Sequence, residues 1–77
     1  MRPSTVKSNV LIRFGKRVRE KRAALALSQE ELAERAGVHR TYIGMIERAE
    51  KNITLGNIEK IAKALNVPLD KLMKLDK

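Results

Sequence analysis

The sequence predicts an all-α domain of five short helices around one core. Apolar side chains recur at helical spacing along the chain. Helix-start and helix-stop residues, such as Ser28, Gly37 and Pro68, divide these periodic stretches. A length of 77 residues leaves room for one core only. We therefore expect a single domain over residues 8–77, preceded by a flexible basic arm over residues 1–7.

Composition points toward a polyanionic partner and away from metal chemistry. Seventeen Lys and Arg against nine Asp and Glu give a formal charge of +8. Without Cys and with one His, the chain has no means of building a disulfide or a zinc centre, so we expect no metal and no cofactor. No apolar run approaches the ~18 residues of a membrane span, and residues 1–7 lack a signal-peptide core. We expect a cytoplasmic protein that does not contact membranes.

The first helix is expected to begin at residue 8 or 9. Phe14, Val18 and Leu25 mark its apolar stripe, with Val10 or Leu11 before them. Six basic side chains surround this stripe: Arg13, Lys16, Arg17, Arg19, Lys21 and Arg22. They form either a solvated face or a set of phosphate contacts. A left-handed alanine costs on the order of 1 kcal/mol, so we expect the helix to end at Ala26 by another geometry.

Two helices, over residues 29–36 and 40–48, are expected to follow and to cross at an angle. Ser28 and Glu31 form a capping box at the start of the first of these helices. Gly37 suits a sharp turn because it adopts positive φ at little cost. The positions expected to face inward are Leu32, Ala33, Ala36, Val38, Ile43 and Ile46.

The small Ala33, the turn at Gly37 and the apolar residues after it resemble the helix-turn-helix of DNA-binding proteins. The stretch LSQEELAERAGVHRTYI is similar to the phage-repressor family (Cro-like, xenobiotic-response-element). The later stretch RTYIGMIERAEKNITL, followed by NIEKIAKALNV, is similar to the controller proteins of restriction–modification systems. The resemblance covers roughly residues 13–75. It implies a compact repressor-like fold in which helices two and three form the helix-turn-helix.

The resemblance also implies a function. We expect a sequence-specific transcriptional regulator that binds a pseudo-palindromic operator in double-stranded DNA as a homodimer. The third helix would enter the major groove, where base edges are distinguishable. Base-reading candidates on that helix are Arg40, Thr41, Tyr42, Gly44 and Met45. Tyr42 has an alternative role, as an aromatic ring half-packed against the helix.

Other residues carry supporting roles in the resemblance. Phosphate-contacting candidates are Gln29, His39, Arg48, Asn52 and Thr54. Thr54 is also the expected N-cap of the fourth helix. Arg22 and Glu47 are expected to form a partly buried ion pair between the first helix and the recognition helix. Relatives usually carry Gly at Ala49 and often Pro at Ile53, so the path of the loop over residues 49–53 stays open.

The fourth helix is expected from residue 55 to about residue 66, and a short fifth helix from Pro68. The fifth helix has more apolar side chains than one short segment can bury: Leu69, Leu72, Met73 and Leu75. Relatives dimerise through this end, which makes these four the candidate dimer interface. The alternative is a frayed tail that covers the core.

The sequence offers no Gly-rich phosphate loop, no metal cluster and no nucleophile–base pair, so we expect no enzyme and no catalytic residue. Expected partners are double-stranded DNA and a second copy of the chain, with RNA polymerase a candidate and no small-molecule ligand. One alternative function is an antitoxin or bridging factor whose main task is to bind a partner protein. Another is a non-specific basic binder of RNA or nucleoid DNA, although one Tyr and one Phe offer little surface for base stacking.

Overall fold

A computed structural model describes residues 9–73, and within that range the chain is all-α. The helices are α1 (Asn9–Ala24), α2 (Gln29–Ala36), α3 (Arg40–Glu47), α4 (Leu55–Ala64) and α5 (Leu69–Met73). The predicted five-helix fold is confirmed. The predicted N-terminal arm lies outside the described residues. No helix among residues 9–73 has the length and apolar character needed to cross a bilayer.

Local side-chain caps start two of the helices. Ser28 Oγ accepts a hydrogen bond from the Glu31 amide at 3.0 Å, and the Ser28 amide donates to Glu31 Oε1 at 2.8 Å. This bond from the Ser28 amide holds the pKa of the Glu31 carboxyl below its usual value. At α4, Thr54 Oγ1 accepts from the Asn57 amide at 3.2 Å. Both caps satisfy backbone donors that an isolated helix end leaves without a partner.

The first four helices end in the same way, with one residue in the left-handed conformation. These residues are Ala26 (φ 58°), Gly37 (φ 73°), Ala49 (φ 59°) and Asn66 (φ 58°). The next amide in each case donates back to a carbonyl five residues earlier, at 2.8–3.1 Å. The expectation that α1 would avoid a left-handed alanine at Ala26 is therefore wrong. The chain after α3 also takes this geometry, at Ala49.

One core joins all five helices. Its fully buried side chains include Val18 of α1, Leu32 of α2, Ile43 of α3, Ile61 of α4 and Leu72 of α5. The helix pairs α2 with α3, α1 with α3 and α2 with α4 make the main contacts between elements. One face of α3 therefore packs against α1 and α2, and the opposite face of α3 is exposed.

A glycine sets the distance between α1 and α3. A Cβ built on Gly15 would lie 2.4 Å from the backbone oxygen of Ile46 and 3.0 Å from that of Glu47. Such contacts are too short for any real side chain, so only glycine allows α1 to cross α3 this closely. Sequence reasoning missed Gly15, although a glycine inside a helical pattern signals a close backbone approach.

Candidate nucleic-acid interface

The C-terminal end of α3 is held to α1 by the ion pair that the resemblance implied. Arg22 Nε lies 2.7 Å from Glu47 Oε2, and Arg22 Nη2 donates to Glu47 Oε1 at 3.0 Å. Arg22 Nη1 donates to the carbonyl of Leu27 at 2.8 Å. The Arg22 side chain is 16% exposed and the Glu47 side chain is 3% exposed. The hydrogen bond to Glu47 raises the pKa of Arg22 above its ordinary value, so the guanidinium stays charged.

Gln29 adds α2 to this pair. Its Nε2 donates to Glu47 Oε1 at 3.1 Å, so one carboxylate joins α1, α2 and α3. Sequence reasoning assigned Gln29 to a DNA phosphate and did not foresee this bond. An amide nitrogen carries two N–H groups, so the contact with Glu47 leaves a donor for a phosphate. The phosphate role of Gln29 stays a prediction.

The exposed face of α3 carries the first two base-reading candidates. Arg40 and Thr41 are exposed at the N-terminal turn, whereas Ile43 and Ile46 are buried on the opposite face. Met45 is half-buried. This arrangement follows from the helical period, because each residue is rotated by about 100° from the one before it around the helix axis. A polar and cationic tip therefore projects from the part of α3 that is expected to enter a groove.

Tyr42 is tied to the neighbouring helix. Its side chain is half-buried and packs against the core, and its Oη accepts a hydrogen bond from Asn57 Nδ2 of α4 at 2.9 Å. The packed alternative for Tyr42 thus describes its position in this structure. A base contact through the exposed part of the ring stays a prediction.

Gly44 lies in a different environment from Arg40 and Thr41. It was assigned to base reading through close approach, but the residue is buried. A Cβ built there would lie 3.0 Å from Arg48 Nη1 and 3.6 Å from Gln29 Oε1. These two side chains lie over Gly44, and the base-reading role of Gly44 stays a prediction. Arg48 itself is exposed, and its Nε lies 3.1 Å from Glu50 Oε2.

The remaining phosphate candidates lie at the helix starts and in the loop. His39 stands at the N-cap of α3, with an exposed side chain that makes no capping bond. Asn52 is exposed in the loop before α4. The Thr54 hydroxyl caps α4, as expected for that position. The phosphate contacts of all three residues stay predictions.

The candidate dimer patch is smaller than the sequence indicated. Leu69 and Met73 are 40% and 37% exposed, but Leu72 is fully buried. The expectation that Leu72 belongs to a surface patch is wrong, because its side chain completes the core of its own chain. Leu75 lies outside the described residues. Arg17 Nη1 donates to the Lys71 carbonyl at 3.3 Å and so attaches α5 to α1.

Comparisons with known proteins agree with this geometry. A family model described as helix-turn-helix matches residues 18–72. Control protein C.SmaI of Serratia marcescens is 54% identical over 56 residues, which span 73% of this chain and 67% of that protein. The restriction-modification controller protein C.AhdI from Aeromonas hydrophila superposes with a TM-score of 0.79 at 47% identity, over 80% of this chain and 94% of that one. The P22 c2 repressor, solved in complex with a synthetic operator, gives a TM-score of 0.75 at 33% identity, over 82% and 96% of the two chains.

Proposed function

Because this chain belongs to the helix-turn-helix family, we propose that it is a transcriptional regulator that binds a duplex DNA operator as a homodimer. The observation that carries the proposal is the exposed tip of α3, where Arg40 and Thr41 project from a helix that Glu47 fixes to α1 and α2. A rigid helix with exposed polar side chains is what major-groove reading requires.

Base selection falls to the N-terminal turn of α3. The Arg40 guanidinium has the geometry to donate two hydrogen bonds to O6 and N7 of one guanine. Thr41 lies beside it and offers both a hydroxyl and a methyl group, the latter suited to a thymine methyl. The side chains of these residues are exposed, so they reach a base without rearrangement of the core.

Phosphate contacts position the protein and do not themselves choose a sequence. The start of α2 is suited to a phosphate contact, because the backbone N–H groups of the helix N-terminus and Gln29 lie next to each other there. His39 and Asn52 extend the same role toward α3 and the loop. The formal charge of +8 adds a long-range attraction to DNA.

A two-fold dimer would place two copies of α3 about one DNA turn apart, near 34 Å, and would read an inverted repeat. Two similar proteins carry the names control protein and controller protein, which supports a role in the regulation of a restriction–modification system. In such a role the operator position relative to a promoter sets activation or repression, and RNA polymerase is the candidate partner. Action on intracellular DNA places the protein in the cytoplasm, and binding DNA needs no catalytic residue.

The experiment that tests this function is selection of bound duplexes from a random library at about 0.15 M salt. We expect enrichment of an inverted repeat. Recovery of sequences without a shared motif would contradict sequence-specific binding and would favour a protein partner or non-specific binding to nucleic acid.

Replacement of Arg40 tests the residue at the centre of the mechanism. On the selected site, Arg40→Ala is expected to lose about 1–3 kcal/mol of binding free energy and the preference at one base pair. Lys63→Ala removes an exposed cation from α4 and serves as the control, with the base preference unchanged. An Arg40→Ala variant that folds and keeps every base preference would remove Arg40 from base reading.

A further inference from the structure

We infer that Arg48 is a second base-reading residue, laid along the outer face of α3 by the absence of a side chain at Gly44. The inference rests on the proposed DNA-binding function and deepens it. It differs from the sequence expectation, in which Arg48 contacts a phosphate from the loop and Gly44 faces the DNA. Three observations carry it: the Arg48 guanidinium lies over Gly44, it pairs with Glu50, and Gln29 lies beside Gly44.

The first contact is with Gly44. A Cβ at that position would lie 3.0 Å from Nη1 and 3.8 Å from Cζ of Arg48. The guanidinium therefore crosses the bare backbone of Gly44, one helical turn nearer the N-terminus of α3 than Arg48 itself. Side chains on a helix lean in this direction, and residues four apart lie on the same face. Gly44 is buried because Arg48 and Gln29 cover it, although it stands on the outward arc of the helix.

The second contact holds the opposite edge of the guanidinium. Arg48 Nε lies 3.1 Å from Glu50 Oε2. Glu50 is itself positioned by the helix end, since its amide donates to the Met45 carbonyl at 2.8 Å and the left-handed Ala49 precedes it. The Arg48 side chain is still 55% exposed. It is thus oriented by its neighbours and accessible at the same time.

The third observation concerns Gln29 of α2. Gln29 Nε2 donates to Glu47, which turns the amide oxygen of Gln29 toward Gly44, 3.6 Å from the Cβ position there. An acceptor oxygen of α2 and the Arg48 guanidinium therefore both lie beside Gly44. The pair with Glu50 favours one orientation of the planar guanidinium. Such preorganisation is what separates a selective guanine contact from a mobile phosphate contact.

The position of the guanidinium fits a second base pair in the same half-site. Arg40 and Gly44 are one turn apart along α3, a rise of about 6 Å. Successive base pairs are about 3.4 Å apart along the DNA axis. We therefore expect Arg48 to choose a guanine about two base pairs from the one that Arg40 chooses.

Base reading and phosphate contact make opposite predictions for binding. A base-reading arginine controls the preference at one position, whereas a phosphate-contacting arginine changes affinity for all sequences alike and lowers the salt dependence. The two roles also predict different effects of replacing the arginine by lysine. Lysine keeps the charge that a phosphate needs but lacks the planar pair of donors that guanine needs.

The test repeats the selection from a random duplex library with the wild type and with Arg48→Ala, Arg48→Lys, Gly44→Ala and Gly56→Ala. A Cβ at Gly44 meets only the flexible ends of Arg48 and Gln29, so Gly44→Ala is expected to fold, which thermal unfolding checks. Gly56→Ala is the matched control, because a Cβ there meets nothing closer than Thr54 Oγ1 at 4.0 Å.

We expect both Arg48 variants and Gly44→Ala to lose about tenfold or more of the preference at one shared base pair and to keep the preference that depends on Arg40. Gly56→Ala should select the wild-type motif. Retention of every base preference in Arg48→Ala and Arg48→Lys would overturn the inference while leaving the proposed function intact. Failure of the wild type to select any motif would overturn the proposed function and the inference with it.

Discussion

One carboxylate, that of Glu47, links α3 to both of the helices that pack against it. It lies at the last position of α3, 3% exposed, and accepts hydrogen bonds from Arg22 of α1 and Gln29 of α2. A buried charge is tolerated only where opposite charge and hydrogen bonds compensate it. Glu47 therefore couples the stability of the fold to the placement of α3, which carries the proposed base-reading residues Arg40 and Thr41.

Removal of the partner charge should expose this dependence. Arg22→Ala leaves the Glu47 carboxylate buried with the amide of Gln29 alone, so we expect a loss of about 3 kcal/mol in the free energy of unfolding. Urea denaturation followed by circular dichroism measures it. Arg19→Ala removes an exposed arginine from the same helix and should change stability by less than about 0.5 kcal/mol. Equal effects of the two substitutions would show that the ion pair contributes nothing beyond a surface charge.

The sequence predicted part of this residue network. The Arg22–Glu47 pair was expected from the resemblance, but the bond from Gln29 was not, because two polar residues 18 positions apart carry no local signal of contact. The position of the Arg48 side chain over Gly44 was not predicted for the same reason. It depends on the rotamer of a long flexible side chain, which neither helical period nor residue spacing encodes.

At the scale of the elements, α1 and α3 cross at a glycine. Gly15→Ala would place a Cβ 2.4 Å from the Ile46 carbonyl oxygen, so the two helices must separate. We expect a loss of about 1–3 kcal/mol in the free energy of unfolding, as for other overpacked sites. Gly56→Ala lies at an open position of α4 and should leave stability equal or slightly higher. Urea denaturation measures both variants. Equal free energies of unfolding for Gly15→Ala and Gly56→Ala would contradict this account.

A substitution after the end of α1 is expected to stabilise the protein. Ala26 holds φ at 58°, a conformation that costs an L-residue about 1 kcal/mol relative to glycine. Because its side chain is exposed, Ala26→Gly is expected to raise the free energy of unfolding by about 0.5–1 kcal/mol. Ala23→Gly, at an exposed position inside the same helix, should lower it by a similar amount. A destabilising Ala26→Gly would show that the alanine methyl is needed at the helix end.

Local signals predicted most of these elements. The expected second helix, over residues 29–36, matches α2, because Ser28, Glu31 and Gly37 mark its two ends. The third helix, expected over residues 40–48, ends one residue earlier, at Glu47. The left-handed Ala26 was not predicted, because the conformational cost of positive φ for alanine argues against it. Burial of Leu27, which is 8% exposed, favours the tight turn that the local cost opposes.

At the scale of the whole molecule, the exposed part of α5 is the candidate for self-association. Met73 and Leu69 lie on its surface, and Leu72 anchors the helix in the core. Met73→Glu is expected to convert dimers into monomers, measured by sedimentation velocity, because a charge would be buried at the interface. Leu25→Glu places the same charge at an exposed apolar residue after α1 and should leave the dimer intact. An unchanged dimer in Met73→Glu would remove α5 from the interface.

The most direct test of the central claim, a homodimer that reads two half-sites with two copies of α3, is the dependence of affinity on half-site spacing. Duplexes would carry the selected half-sites with their centres moved apart one base pair at a time. We predict the tightest binding near one DNA turn, about 34 Å, and a drop to the affinity of a single half-site when about half a turn is inserted. Affinity that is indifferent to the spacing would contradict the account.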